Sequence, residues 1–147
     1  MGLSEDFAVK LVDAPAGPLG GTLRPLWQGA LDRVEAEHRV GRGGADVARD
    51  IAVAMDAVVL AIYQRAVGQA QGTHALVALG GYGRSEMAPY SDVDLLFLFK
   101  KDQDKVPEFV SGVLNPLWDM GFEVGHSSRT LAEVAKFARE DLESCTA

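Results

Sequence analysis

Asp92 and Asp94 stand two residues apart at the mouth of an apolar run, within GGYGRSEMAPYSDVDLLFLF at positions 80–99. Successive side chains on a strand point to opposite faces. An i, i+2 pair is therefore expected on one face, with roughly 6.6 Å of backbone rise between its members. Two carboxylates so placed can share metal. A pair of Mg²⁺ ions about 3.5–4 Å apart is the usual device for in-line phosphoryl or nucleotidyl displacement. Along the strand, Asp92, Asp94, Leu96 and Leu98 make one row and Val93, Leu95, Phe97 and Phe99 the other, a pattern expected for burial on both faces. Burying two like charges without a cation is costly, and bound Mg²⁺ removes that cost. Asp92 and Asp94 are therefore the candidate catalytic and metal-ligating residues.

Upstream, the apolar run at 74–79 ends in Gly80-Gly81, which reads as a buried strand entering a tight turn. Lacking Cβ, Gly80 and Gly81 let backbone N–H groups approach a phosphate, and a helical turn beginning near Gly83 would add its positive end. Arg84 is expected to grip a phosphate oxygen rather than pair with Glu86. Ser91 can bond a phosphate or simply brace the Asp92 loop. A lone Gly-Gly or a lone Asp-x-Asp more often serves a turn, but strand, glycines, short turn and Ser-Asp-Val-Asp form a joint pattern that favours catalysis.

That order resembles the nucleotidyltransferase superfamily that includes DNA polymerase β. With LWDMGFEVGHS at 117–127, Arg129 and Thr130, it is similar in particular to the PII uridylyltransferases, bifunctional uridylyl-transferring and uridylyl-removing enzymes of bacterial nitrogen control. The resemblance is strong from Leu76 to Thr130, weaker to Asp141, Leu142 and Thr146, and only general before residue 45. It implies a Mg²⁺-dependent transfer of UMP from UTP to a tyrosine of the PII signalling protein. Gly80, Gly81, Arg84 and Ser91 would hold the nucleotide. The superfamily often adds a third carboxylate, here Glu123 or Asp141; each also has a bland reading, as a solvated strand residue and as a helix-orienting one. His126 and Arg129 can meet the nucleotide or the pyrophosphate, although a strand histidine is more often structural. One departure is Ser85, where the family usually has a glycine. Full-length members continue into a helical region, an HD phosphohydrolase domain and two ACT domains. The chain is therefore expected to be a fragment, without UMP removal or glutamine response. Two other readings stay open: a stand-alone or CBS-linked nucleotidyltransferase with another acceptor, and a catalytically incomplete nucleotide- or PII-binding module.

The 147-residue chain is the size of one domain, and its net charge of −7 argues against a nucleic-acid surface, which needs a Lys/Arg-rich patch. Cys145 is the only cysteine and fits a reducing compartment. Glu5 and Asp6 interrupt any signal peptide, and the apolar run at 51–62 is too short to span a bilayer. The expectation is a cytoplasmic protein with no membrane partner.

These residues need elements to position them. Residues 13–21 read as an irregular lead-in, and 22–40 as a helix capped by Thr22 with Leu26, Leu31 and Val34 inward. Residues 45–67 read as a long helix with Val47, Ile51, Met55, Val58 and Ile62 on its core stripe. A charged loop is expected at 100–105 and a helix at 106–120, kinked or split by Pro116 and closed by Gly121. A third strand at 122–127 and a helix from the T-x-x-E capping box at Thr130 follow. Trp118 reads as core, and His38 and His74 lack a second ligand at useful spacing. The fold class is α/β or α+β, a small mixed sheet with helices mainly on one face. Residues 1–44 form an N-terminal segment and helix, and 45–147 the nucleotidyltransferase core.

Overall fold

The structure is a computed structural model that describes residues 19–70, 72–104 and 106–140. Its centre is the apolar run after Asp92, now strand β2 (Val93–Phe99). Strand β1 (His74–Ala78) pairs with it antiparallel, His74 opposite Phe99 and Ala78 opposite Leu95. Strand β3 (Val124–Thr130) pairs parallel on the other side, Asp94 opposite Gly125. The result is a three-stranded mixed sheet in an α+β arrangement.

Helices α1 (Leu19–Arg39) and α2 (Gly44–Ala66) precede the sheet; α3 (Gly80–Gly83) joins β1 to β2, α4 (Pro107–Asp119) joins β2 to β3, and α5 (Leu131–Glu140) follows β3. Burial along β2 alternates strictly. Val93, Leu95, Phe97 and Phe99 are fully buried in one core with α1, α2 and α4, whereas Asp94, Leu96 and Leu98 are half-buried. The helical layer thus covers one row of β2 completely, and the aspartate row remains partly open, contrary to the expected burial on both faces.

The stripe that α1 buries is Leu23, Trp27, Ala30 and Val34, a 4-3-4 repeat, with Leu26 and Leu31 half-buried at its edge. Thr22 lies inside this helix, which begins at Leu19, so it does not cap it. Gly20 lets α1 approach α4 closely, since a Cβ there would stand 2.7 Å from that of Asp119. Arg24 then donates to the Asp119 carbonyl at 2.5 Å, closing one of the open carbonyls at the end of α4.

Pro116 sits within α4 without splitting it. The helix ends at a left-handed Gly121 (φ +88°), whose amide donates to Trp118 O at 2.8 Å while Phe122 N donates to Leu117 O at 3.1 Å. This Schellman closure uses up residues 121 and 122, so β3 starts later than expected. The capping box forms as read: Thr130 N donates to Glu133 Oε2 at 2.6 Å and Glu133 N to Thr130 Oγ1 at 3.2 Å. Trp118 corrects the expectation of a core residue. The buried stripe of α4 is Phe109, Val113, Leu114 and Leu117, and Trp118, one residue around the helix, is 48% exposed. His38 bonds Arg42 O, and His74 lies against Tyr63 in an aromatic cluster with Phe109.

Candidate active site

The glycine turn is helical from Gly80 itself, not from Gly83. Leu79 enters it with extended backbone, and its amide still reaches Asp94 O at 2.9 Å, so β1 and β2 stay joined to the point where the turn begins. Gly83 N bonds Leu79 O at 2.8 Å and Glu86 N bonds Gly81 O at 2.8 Å. The first-turn amides of α3 take no partner from within the helix.

Asp94 is where two glycines become necessary. Gly80 holds φ +58°, and a Cβ on it would stand 2.6 Å from Asp94 Oδ2. Across the sheet, Gly125 is the register partner of Asp94, and a Cβ there would overlap Oδ1. The carboxylate thus sits in a slot between two bare backbones. It makes no hydrogen bond or ion pair with the described residues. The slot opens into a cleft of about 450 Å³ lined by Leu79, Gly80, Asp94, Gly125, His126 and Ser127 among others.

Asp92 lies elsewhere. The β2–β3 ladder starts at Val93, whose amide donates to Glu123 O at 2.9 Å, so Asp92 falls just before the strand and is exposed. With Glu123 it lines a second cleft of about 600 Å³ that shares no residue with the first. Asp92 and Asp94 thus line different clefts, Asp92 from the loop just before β2 and Asp94 from the strand itself. Among the described residues no group of three acidic, histidine or cysteine side chains stands at metal-holding distance, so Glu123 is not gathered with both aspartates. Asp141 lies outside the described residues.

Ser91 braces the loop: its Oγ accepts from Ala88 N at 2.9 Å and its amide donates to Ala88 O at 3.1 Å. Arg84 forms the ion pair that the sequence reading set aside, Nε to Glu86 Oε2 at 3.0 Å, with both side chains exposed. Arg129 stacks its guanidinium 4.7 Å over the Phe137 ring instead of facing the cleft, whereas His126 lines it. Ser85 adopts φ +58°, a left-handed conformation more natural to glycine. Ser85→Gly should raise stability by about 0.5–1 kcal/mol, since strain of about 1–2 kcal/mol is relieved against the added flexibility of glycine. A chemical denaturation midpoint unchanged or lowered would contradict this.

Sequence reading passed over Tyr82 and Asp56. Tyr82 is 5% exposed, and its hydroxyl donates to Asp56 Oδ1 at 2.8 Å, tying the glycine turn to α2. Burial first, then the Asp56 bond and charge, push the phenol far above its ordinary value of 10.0. The folded state resists ionisation that the unfolded chain accepts. This contribution is therefore complete below about pH 10 and declines as pH rises further. Tyr82→Phe should cost about 1 kcal/mol at pH 7 and flatten the loss of stability above pH 10, measured by denaturant titrations across that range. An unchanged alkaline profile would remove Tyr82 as its source.

The nucleotidyltransferase domain family matches residues 61–143. The chain is also similar to bifunctional uridylyltransferase/uridylyl-removing enzymes. Identity is 43% to that of Phenylobacterium zucineum, over 74% of this chain and 13% of the relative. It is 37% to that of Novosphingobium aromaticivorans, over 92% and 17%, and 42% to that of Erythrobacter litoralis, over 83% and 14%. The chain spans less than a fifth of these relatives' length. No described helix is long and apolar enough to cross a membrane. The family match runs from the last turns of α2 through α5, and so takes in both glycines and the aspartate between them: the chain belongs to the nucleotidyltransferase domain family.

Proposed function

We propose that this domain transfers UMP from UTP to a tyrosine hydroxyl of a PII signalling protein, with Mg²⁺ as cofactor, in cytoplasmic nitrogen regulation. One observation carries the reading: the Asp94 carboxylate is held between Gly80 and Gly125 in an open cleft without a partner among the described residues. Hard carboxylate oxygens suit Mg²⁺, which binds through one or two carboxylates together with substrate phosphates. Asp94 and Asp92 would hold it, and when bound it supplies positive charge against the charge that develops on the transferring phosphoryl group. Similarity to the uridylyltransferases supports the choice of nucleotide and acceptor.

The protein's own part is positioning. Gly80 and Gly81 let the triphosphate lie against the backbone, and Arg84 leaves Glu86 to bond a phosphate oxygen. The acceptor oxygen bonds the α-phosphorus as the α–β bridging P–O bond breaks. Pyrophosphate leaves with that electron pair, and the hydroxyl proton passes to water. Incubation with labelled UTP or ATP, Mg²⁺ and a PII protein tests this: label from UTP should appear on the acceptor and depend on Mg²⁺. Transfer from ATP instead, or Mg-UTP binding with no transfer, overturns it; the second result identifies a nucleotide-binding module.

Arg84→Ala should weaken Mg-UTP binding about tenfold, the scale of one charge-assisted hydrogen bond. Melting should hardly change, because an exposed pair contributes about 0–1 kcal/mol. Clear destabilisation with unchanged affinity would assign Arg84 to structure alone.

A further inference from the structure

We propose that the gap between α2 and β1 binds a small primary amine on an aromatic stem, its ammonium held by Asp56 and its far end by Tyr63. Burial reveals the gap. Phe99, Phe97 and Leu95 are fully buried, whereas their register partners His74, Leu76 and Ala78, on the same side of the sheet, are only half-buried. The helical layer stops short of this edge and leaves a cleft of about 540 Å³, with Leu60, 56% exposed, in its wall. Small-molecule sites have volumes of about 300–1,000 Å³ and apolar walls carrying a few placed polar groups.

Here the polar groups stand at two ends. Asp56 bonds Tyr82, from the turn that follows β1, and Tyr63 bonds His74, the first residue of β1. Asp56 and Tyr63 lie about 10.5 Å apart along the axis of α2. At the first end, Asp56 Oδ1 accepts from the Tyr82 hydroxyl at 2.8 Å, and Oδ2 takes no hydrogen bond or ion pair among the described residues. No described lysine or arginine lines the cleft, so this carboxylate favours a cation. At the other end, His74 Nδ1 lies 3.4 Å from Gly72 O and Nε2 3.1 Å from the Tyr63 hydroxyl. With the imidazole proton on Nδ1, Nε2 accepts from Tyr63, whose oxygen keeps a lone pair for a hydroxyl on the ligand. Val59, Leu60 and Leu76 supply the apolar wall between. Because Asp56 also holds Tyr82, an occupant shares the carboxylate that ties the glycine turn to α2.

Tyramine, an ammonium and a phenol joined by a short apolar stem, is the probe, titrated into the 147-residue chain by calorimetry and followed by amide NMR shifts. It should bind one site, saturating below about 10 mM as suits so small a ligand, and move the amides of residues 56–63 and 74–78. Asp56→Asn keeps an acceptor for Tyr82 and should weaken binding about tenfold, the scale of one charge-assisted hydrogen bond. Tyr63→Phe should weaken tyramine about fivefold and leave phenethylamine, which lacks the hydroxyl, unchanged. Leu60→Ala should weaken both amines about threefold, and its exposed position keeps the test decisive should Asp56→Asn fold poorly. 3-(4-Hydroxyphenyl)propionate, a carboxylate on the same stem, should not bind. No saturable tyramine binding, wild-type affinity in Asp56→Asn and Leu60→Ala, a carboxylate bound as tightly as the amine, or shifts confined to the Asp94 cleft overturns the inference.

Discussion

Asp94→Asn is expected to lower nucleotidyl transfer at least about 10²–10³-fold, the scale of removing one preorganised electrostatic contact. Asparagine keeps the shape of the side chain and removes the charge. Because the carboxylate makes no hydrogen bond or ion pair with described residues, the fold loses nothing it depended on. Melting without metal should shift by no more than about 0.5 kcal/mol equivalent. The stabilisation that Mg-UTP gives the wild type should vanish in the variant, since a ligand stabilises only in proportion to its binding. Asp92→Asn should lose transfer likewise and also keep its fold, Asp92 being exposed. Thermal melts with and without Mg-UTP, beside the transfer assay, decide the matter. A variant that melts much lower without metal yet keeps the ligand-induced shift would show that Asp94 supports the turn and not the cofactor.

Gly125→Ala should be nearly as damaging to transfer, by a different route. The new methyl would overlap Asp94 Oδ1, so either the carboxylate leaves its slot or β3 moves away from β2. Overpacking of this kind costs about 1–3 kcal/mol. The cause can be isolated by a double-mutant cycle, because the Asp94 carboxylate is all that a Cβ at Gly125 would meet within 4 Å. In an Asp94→Ala background the same substitution should cost less than about 0.5 kcal/mol, as the atom it collides with is gone. Equal cost in both backgrounds, measured by urea denaturation, would place the strain in the strand and not in the slot. Gly80→Ala should behave worse than Gly125→Ala, since its φ of +58° adds left-handed strain to the same collision.

What residues 19–140 state locally could be read directly. The core stripe of α2 through Ile51, Met55, Val58 and Ile62, the Thr130–Glu133 capping box, the Gly121 closure and the central strand after Asp92 all rest on periodicity or on bonds between residues at most a few positions apart. Short-range energetics of that kind are written in spacing. The nucleotidyltransferase assignment was legible for the same reason, since the glycine turn and the aspartates are close in sequence. What the aspartates face was not. That depends on where the β2–β3 ladder begins, and Val93 pairing with Glu123 O leaves Asp92 outside the strand. Gly125 acquires its meaning only when parallel pairing sets it beside Asp94, and Asp56 only when packing carries the Tyr82 hydroxyl to it from 26 residues away. Register and packing are settled by burying Val93, Leu95, Phe97 and Phe99 against α1, α2 and α4, a sum over the whole core that no single segment contains. The sequence by itself determined the family and pointed to the residues proposed to carry its chemistry. Tertiary structure decided how they divide between two clefts.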